Sequence, residues 1–349
     1  MSFENGIIDL RSDTVTLPTQ EMRKAMSEAV VGDDVFGEDP TINILQETAA
    51  ELLGKEAGIF VPSGTMANLI AVLAHCQRGD EAIMGTLGHT FLHEAGGISA
   101  LGSVFATTVP NQVDGTLALK DIRNAFREID IHNPETRLVI LENTQNACGG
   151  VPLSLEYMQA AGELVHQLGM KLHLDGARIF NAAVALGTTA EKLVYPADSV
   201  MFCLSKGLCA PVGSVLCGPS DFILRSRKIR KQLGGAMRQA GILAAAGLIS
   251  VKSMTTRLEE DHLHAKLIAD TLVDITGIHL HKGYPQTNMV FFEMSPDLEM
   301  SPEELQSSLA SKGILIGATG NKQFRLVTHY WISDADIKKV KDAFIEILT

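Results

Sequence analysis

Three short polar segments follow β-rich runs of this chain: SGT at residues 63–65, DGAR at residues 175–178 and SK at residues 205–206. In an open parallel sheet, ligands bind at the carboxyl ends of the strands, so polar groups at such positions can line one pocket. They provide a primary amine, a carboxylate and a helix start whose free N–H groups favour an anion. The pattern predicts one polar site built from three strand ends.

Asp175 is the sharpest of these signals. A carboxylate at the end of the apolar run LHLD is expected to be partly buried, and a buried charge needs a partner. Arg178 offers a structural ion pair, whereas a protonated pyridine nitrogen offers a functional partner. Lys206 lies 31 residues downstream, about one strand–helix–strand unit, so both side chains can face one pocket. Both partners for Asp175 stay open at this point.

Pyridoxal phosphate requires this combination of groups: a lysine for a Schiff base, an acid for the ring nitrogen and a cradle for the phosphate. Lys206, Asp175 and the SGT segment supply one of each. A helix start with a capping serine is also common without phosphate, and the segment is not a P-loop, because GxxxxGK[ST] is absent. Taken together, the three signals favour pyridoxal phosphate as the cofactor.

The composition limits the partners. The 349 residues carry a formal net charge of −12, which argues against nucleic acid as a partner, since phosphate backbones select basic surfaces. No window reaches the roughly 18 uncharged apolar residues of a membrane helix, and the start of the chain lacks the features of a signal peptide. Five cysteines without a CxxC pair predict reduced thiols and a cytoplasmic location.

Strand-like and helical segments alternate along the first part of the chain. The strand-like segments are residues 59–64, 81–85, 136–144, 171–178 and 199–207, and the helical ones are residues 65–79, 93–102 and 155–169. This alternation predicts right-handed crossovers and an α/β fold with a mostly parallel sheet flanked by helices.

The pattern changes after residue 248. The segment MTTRLEEDHLHAKLIADTLVDI predicts one long helix, followed by short strands and two more helices. We therefore predict an N-terminal arm at residues 1–19, a large cofactor-binding domain at residues 20–248 and a smaller C-terminal α+β domain at residues 249–349.

A series of motifs carries a family resemblance: RSDTVTLPT, GDDVFGEDPT, FVPSGTMANL, GHTFLHEAGG, LENTQNACGG, LHLDGARIFNA, LSKGLCAPVGS, GGAMRQAG and RLVTH. They cover nearly the whole chain, and it resembles the low-specificity L-threonine aldolases, pyridoxal-phosphate enzymes of fold type I. The resemblance implies retro-aldol cleavage of L-threonine, L-allo-threonine and other β-hydroxy-α-amino acids to glycine and an aldehyde such as acetaldehyde.

The resemblance also implies roles for residues around the cofactor. Lys206 would form the Schiff base, Asp175 would pair with the pyridinium nitrogen, and Gly64 and Thr65 would hold the phosphate. Arg238 in GGAMRQ resembles the arginine that reaches the phosphate of a neighbouring subunit, with a solvated surface charge as the alternative. This implies a homodimer interface at the site and a tetramer overall.

Further residues follow from the same motifs. His89 in GHTFLHEAGG would stack on the cofactor ring, and His132 in DIHNPETR would lie near the substrate side chain. Both histidines are candidates for the catalytic base. Asn143 in LENT would contact the ring hydroxyl. A bound water is another candidate for the base.

The substrate carboxylate would be bound by Ser12, Arg178 and Arg325, with Arg178 also beside the cofactor, because a guanidinium donates two parallel hydrogen bonds. HEAGG is not the zinc motif HExxH, and we predict no metal site.

Several alternatives stay open on the sequence alone. Another fold type I enzyme, similar to serine hydroxymethyltransferase or to a β-lyase, would share the cofactor residues but act differently on a β-substituted amino acid. A pyridoxal-phosphate-binding protein without turnover is a second alternative, although it has no need of arginines for a carboxylate. A nicotinamide-dependent oxidoreductase is disfavoured, because no GxGxxG follows a strand.

Overall fold

The computed structural model of the chain describes residues 6–349, so residues 1–5 of the predicted arm lie outside the described residues. The strands are, in chain order, β1 Ile8–Asp9, β2 Ala57–Val61, β3 Glu81–Gly85, β4 Phe105–Val109, β5 Thr136–Glu142, β6 Lys171–Asp175, β7 Ser199–Cys203, β8 Ser214–Gly218, β9 Ile278–His279, β10 Met289–Met294, β11 Ile314–Leu315, β12 Gly317–Gly320 and β13 Gln323–Val327. The α-helices are α1 Gln20–Ser27, α2 Pro40–Leu52, α3 Gly64–His75, α4 His89–Leu92, α5 Gly97–Ala100, α6 Leu119–Ala125, α7 Leu155–Gln167, α8 Ile179–Ala185, α9 Ala190–Val194, α10 Ser220–Gln232, α11 Gly241–Ile249, α12 Leu258–Val273, α13 Pro302–Ser311 and α14 Asp334–Leu348.

Within the described residues, seven strands form the central sheet in the order β2-β8-β7-β6-β5-β3-β4. Neighbouring strands are parallel except at β8, which runs antiparallel to both β2 and β7. The predicted mostly parallel sheet is therefore confirmed. The length of the connection explains the direction of β8. Only residues 204–213 connect β7 to β8, and these are too few for the helical crossover that a parallel strand would need.

Helices cover both faces of this sheet, as predicted. Along β7, Val200 and Phe202 pack in one hydrophobic cluster while Met201 and Cys203 pack in another, because successive side chains of a strand point to opposite faces. The first cluster includes side chains of α2, α7 and α9, and the second includes side chains of α3 and α10.

The predicted helix at residues 93–102 is wrong. Two helices of four residues, α4 and α5, stand in this region, and Ala95 and Gly96 between them have φ values of 54° and 65°. A right-handed helix cannot continue through two left-handed residues. The break turns the chain so that Glu94 lies beside His89.

A smaller hydrophobic cluster joins α12, α13 and α14 to the antiparallel sheet β12-β13-β10-β9. The long helix predicted here is α12, which begins at Leu258. This part confirms the predicted C-terminal α+β architecture. Among the helices of residues 6–349, none combines the length and apolar character that a bilayer crossing needs.

The arm before α1 connects the two parts of the molecule. Ile8 and Leu10 pack in the smaller cluster, and β1 pairs with β11 of the C-terminal part. Beyond the predicted boundary at residue 248, Met254 and Leu258 still pack in the larger cluster. The division of the chain into an arm and two domains stays a prediction.

Candidate active site

A cavity of about 350 Å³ opens where β6 and β7 end and α3 begins. Lys206, Asp175 and residues 63–65 all line it, so the three polar segments at separate strand ends meet in space. His89 and Asn68 line the same cavity. The structure thus brings together an amine, a carboxylate, a helix start and an imidazole.

Lys206 belongs to the folded connection between β7 and β8. Its carbonyl oxygen accepts hydrogen bonds from Cys209 N and from Thr16 Oγ1, both at 2.9 Å. The φ of 63° at Cys209 turns the chain back, and Ala210 N then donates to Leu204 O at 2.9 Å. Among residues 6–349, no group accepts a hydrogen bond from Lys206 Nζ. The backbone is therefore fixed while the amine stays available in the cavity.

Asp175 is the last residue of β6 and is 2% exposed. Its Oδ2 accepts a hydrogen bond from Asn68 Nδ2 at 2.8 Å, and its Oδ1 accepts one from Ala177 N at 3.1 Å. An ion pair between Asp175 and Arg178, one of the two options that the sequence left open, is wrong, because Arg178 pairs with Asp13. Within the described part of the chain, this buried carboxylate has only neutral partners, which leaves it free to pair with a cation in the cavity.

The carboxylate of Asp13 binds the guanidinium of Arg178 through two hydrogen bonds. Its Nε and Nη2 donate to the two carboxylate oxygens at 2.7 and 2.6 Å. Burial raises the pKa of the Asp13 carboxyl, but the charge and hydrogen bonds of Arg178 outweigh this effect and hold the pKa well below its usual range. Ser12, a predicted carboxylate ligand, caps the short 3₁₀ turn that carries Asp13. Nε and Nη2 of Arg178 are thus bound to a carboxylate of the chain itself.

Arg325 on β13 has only neutral partners. Its Nη1 donates to Asn146 Oδ1 and its Nη2 to Arg11 O, both at 3.2 Å. Its Nε is buried and has no hydrogen-bond partner among residues 6–349. Burial and the nearby charge of Arg178 lower the pKa of Arg325. A half-buried guanidinium that lies near a second one and has a buried Nε without a partner in residues 6–349 is suited to an anion.

The first turn of α3 contains Gly64 and Thr65. Ser63 caps the helix by accepting a hydrogen bond from Met66 N at 3.2 Å. A Cβ at Gly64 would lie 2.9 Å from Met201 Cε and 3.0 Å from Cys203 Sγ, so a larger residue would displace side chains of β7. The N–H groups of a first helical turn lack intrahelical partners, and this turn lines the cavity. An anion such as a phosphate can bind there.

His89 is oriented by two carboxylates. Its Nδ1 lies 3.0 Å from Glu94 Oε1, and its backbone N donates to Glu142 Oε2 at 2.8 Å. The hydrogen bond to Glu94 raises the pKa of His89. Burial, together with the charge of Asp175, raises the pKa of Glu142 to about 7. The imidazole is therefore fixed at one nitrogen, while the cavity lies beside it.

Sequence reasoning missed Asn68, Glu94 and Glu142. Asn68 is a polar residue in the apolar stretch TMANLIAVLA and is 1% exposed, so its position within a buried helix was the available signal. The predicted helix over residues 93–102 concealed the proximity of Glu94 to His89. Glu142 ends the β5 strand, as Asp175 ends β6, and the two are direct neighbours across the parallel pair.

His132 is not brought to the cavity of its own chain. It is strongly exposed, bonds to Asp130 and precedes β5, whose other end carries Glu142. The seven residues of β5 span roughly 20 Å, so His132 lies at the opposite edge of the sheet. The role of His132 at the substrate therefore stays a prediction.

Two other predicted residues have partners of their own. Asn143 Oδ1 accepts a hydrogen bond from Leu153 N at 3.0 Å, and Asn143 Nδ2 donates one to Leu153 O at 3.3 Å. Arg238 is exposed and donates to Asp33 at 2.7 Å, away from the cavity walls. Their roles at the cofactor stay predictions.

Comparisons with known proteins identify the family. Residues 9–295 match the β-eliminating lyase family. The chain is 47% identical to a probable low-specificity L-threonine aldolase 2 of Arabidopsis thaliana, over 97% of each chain, and 45% identical to the low specificity L-threonine aldolase of Escherichia coli (strain K12), over 96% of this chain and 97% of the relative. A solved threonine aldolase of Leishmania major is similar in fold, with a TM-score of 0.85 at 20% identity over 98% of this chain and 100% of that one. The chain is therefore a lyase that belongs to the β-eliminating lyase family and, within it, to the low-specificity L-threonine aldolases, as its motifs and α/β fold predicted.

Proposed function

We propose that this enzyme cleaves the Cα–Cβ bond of β-hydroxy-α-amino acids such as L-threonine and L-allo-threonine, giving glycine and an aldehyde. With threonine the aldehyde is acetaldehyde. The observation that carries the proposal is the meeting of Lys206, Asp175 and the first turn of α3 around one cavity. The aldolases of Arabidopsis thaliana and Escherichia coli, similar over nearly the whole chain, support the same activity.

We infer that pyridoxal phosphate is the cofactor, because the cavity offers a partner for each of its polar groups. Lys206 would hold its aldehyde carbon covalently, Asp175 its protonated ring nitrogen, and Gly64 and Thr65 its phosphate. The buried Asp175 carboxylate bonds only neutral donors within residues 6–349, which fits a partner with a cationic ring nitrogen. When bound, pyridoxal phosphate supplies an electron sink for the pair of electrons of the breaking bond.

Arg325 is the group that best fits the substrate carboxylate. It has a buried donor without a partner and lies near the charge of Arg178, so an anion there would relieve the repulsion of two guanidinium groups. Because Asp13 occupies the fork of Arg178, that residue would contribute its charge and Arg325 its hydrogen bonds. Fixing the carboxylate sets the orientation of the substrate about Cα and so selects the bond that breaks.

His89 is the proposed base. With Nδ1 turned to Glu94, its Nε2 is the nitrogen left for the β-hydroxyl of the substrate. As the Cα–Cβ bond breaks, the hydroxyl proton passes to Nε2 and the C=O bond of the aldehyde forms. The carboxylate of Glu94 stabilises the imidazolium that results, in line with the raised pKa of His89.

We further propose that a second copy of the chain covers the face around Arg238. Val30 and Phe36, in the neighbouring loop that also carries Asp33, are 68% and 73% exposed, and exposed apolar side chains of this size favour an interface. Arg238 would then reach the phosphate held by the other subunit of a homodimer, with a homotetramer as the full assembly. The buried free cysteines fit the reducing cytoplasm that we propose as the compartment.

The decisive test is Lys206→Ala. We expect the visible absorbance of the covalently bound cofactor to disappear and acetaldehyde release from L-threonine to fall on the order of a thousandfold or more. Lys231→Ala, in the exposed part of α10, is the matched control and should keep both. Near-normal aldehyde release by Lys206→Ala would rule out the assignment. Release of glycine and acetaldehyde without tetrahydrofolate separates this activity from that of a serine hydroxymethyltransferase.

A further inference from the structure

Behind Asp175 runs a series of buried hydrogen bonds that the proposed reaction does not use. Asn68 Oδ1 lies 3.1 Å from His173 Nε2, and His173 Nδ1 lies 2.8 Å from Ser199 Oγ. The same Ser199 oxygen lies 2.8 Å from His75 Nε2. Asn68, His173 and Ser199 are at most 1% exposed, so no water competes for these bonds.

The chemistry of the carboxylates fixes the orientation of Asn68. Its Nδ2 lies 2.8 Å from Asp175 Oδ2 and 2.8 Å from Glu94 Oε1, and an ionised carboxylate only accepts hydrogen bonds. The amide must therefore present its two N–H groups to the two acids. Its Oδ1 then faces His173, whose Nε2 has to carry the hydrogen.

Both histidines of the series are neutral at neutral pH. Burial lowers the pKa of His173 to about 4 despite the charge of Asp175, and burial lowers that of His75 to about 3. With its hydrogen on Nε2, His173 accepts at Nδ1 from the Ser199 hydroxyl, so His75 donates to Ser199. The hydrogen bonds thus all run in one direction: His75 donates to Ser199, Ser199 to His173 and His173 to Asn68. The two N–H groups of Asn68 then donate to the two carboxylates.

Asn68 also separates like charges. One oxygen each of Glu94 and Asp175 and one nitrogen of His89 all lie within 4.8 Å of one another. Two carboxylates this close repel each other in a buried site, and an amide that donates to both offsets the repulsion. Because Glu94 Oε1 also lies 3.0 Å from His89 Nδ1, the same amide is linked to His89 through Glu94.

We propose that Asn68 is a positioning residue of the active site, which holds Asp175 and, through Glu94, His89 in fixed relation, while His173 fixes the orientation of Asn68. The inference rests on the proposed function, since Asp175 and His89 act on a bound cofactor and substrate.

The test uses Asn68→Leu, a change of similar size that removes both N–H donors. A hydrogen bond to a charged group that is lost in a buried site weakens binding by about tenfold or more. We therefore expect the dissociation constant of pyridoxal phosphate, measured by absorbance titration of the full chain after cofactor removal, to rise by about that factor. Asn181→Leu is the matched control, because Asn181 is also buried but bonds His262. It should lower the melting temperature and leave the dissociation constant unchanged.

His173 provides a second, milder pair of variants. His173→Leu removes the donor to Asn68 Oδ1 and should weaken cofactor binding, whereas His173→Gln offers an amide N–H in its place and should restore most of it. If Asn68→Leu does not fold, this pair decides. Equal affinity in the two His173 variants would overturn the inference.

Other results also have a defined meaning. A folded Asn68→Leu variant with wild-type affinity, or one changed no more than Asn181→Leu, would overturn the role of Asn68 while leaving the proposed function intact. If the wild-type chain neither binds pyridoxal phosphate nor releases acetaldehyde, the proposed function fails, and this inference with it.

Discussion

Two clusters of polar side chains near Lys206 differ in their charge. Asn68 and Asp175, which line the cavity, form with the buried His173 the cluster called here the sheet wall. Asp13, Arg178 and Arg325 form the cluster called here the arm wall. In the sheet wall, the buried Asp175 carboxylate has neutral donors on both oxygens. In the arm wall, the chain's own carboxylate holds one guanidinium, and a second guanidinium keeps a buried Nε without a partner in residues 6–349.

This difference indicates which ligand each wall serves. In the sheet wall the hydrogen bonds to Asp175 come from groups of the chain itself, and preorganised groups of this kind suit a permanently bound cofactor. The arm wall has an excess of positive charge that only an anion can neutralise, which suits a substrate carboxylate that arrives and leaves. We therefore expect changes in the sheet wall to affect turnover and cofactor binding, and changes in the arm wall to affect the KM for substrate.

Among changes to the two walls, the largest expected effect is that of Asp175→Asn in the sheet wall. Removing one partner of a buried ion pair costs about 3–5 kcal/mol, so we expect kcat for L-threonine cleavage to fall by about a hundredfold to a few thousandfold. KM should change little, because the arm wall is intact. Steady-state aldehyde release measures both constants, with Asp270→Asn, at an exposed residue, as the control. A variant in which KM alone rises would reverse the assignment of the two walls.

Of the sheet wall, the sequence predicted Asp175, together with the nearby Lys206 and the helix start at residues 63–65. Asp175 and Lys206 each follow an apolar run, and the rule that parallel strands present their carboxyl ends at one edge places both in one pocket. The helix start at residues 63–65 obeys the same rule. Asn68 escaped prediction, because a single polar residue on a buried helix does not reveal which groups surround it.

The arm wall could not be predicted in the same way. The pairing of Asp13 with Arg178 joins residues that are 165 positions apart, and no periodicity or spacing encodes such a contact. The sequence left Arg178 open as one of two partners for Asp175, and the structure pairs Arg178 with Asp13 instead. Roles for Arg178 and Arg325 at the substrate carboxylate followed only from the family resemblance. The antiparallel β8 and the break between α4 and α5 are similar cases, since a short connection and two left-handed residues decide them.

An intermediate effect is expected for Arg325→Ala in the arm wall. The lost hydrogen bonds to a charged group correspond to a rise in the KM for L-threonine of about tenfold to a hundredfold. Arg325→Lys should lie between this variant and the wild type, because it keeps the charge but loses the fork. The dissociation constant of pyridoxal phosphate should stay the same in both. An unchanged KM in Arg325→Ala would place the carboxylate site elsewhere.

The smallest effect is expected for Glu94→Gln, which tests the connection between the sheet wall and the base. A base works only when unprotonated, so kcat/KM should decline on the acid side as His89 gains a proton. The hydrogen bond to Glu94 raises the pKa of His89, and removing that negative charge should lower it. The acid limb of kcat/KM should therefore move about one pH unit lower, the shift that one nearby charge typically causes. Glu163→Gln, on the exposed side of α7, should leave the profile in place. If the acid limb of Glu94→Gln coincides with that of the wild type, the group that takes the hydroxyl proton is not His89.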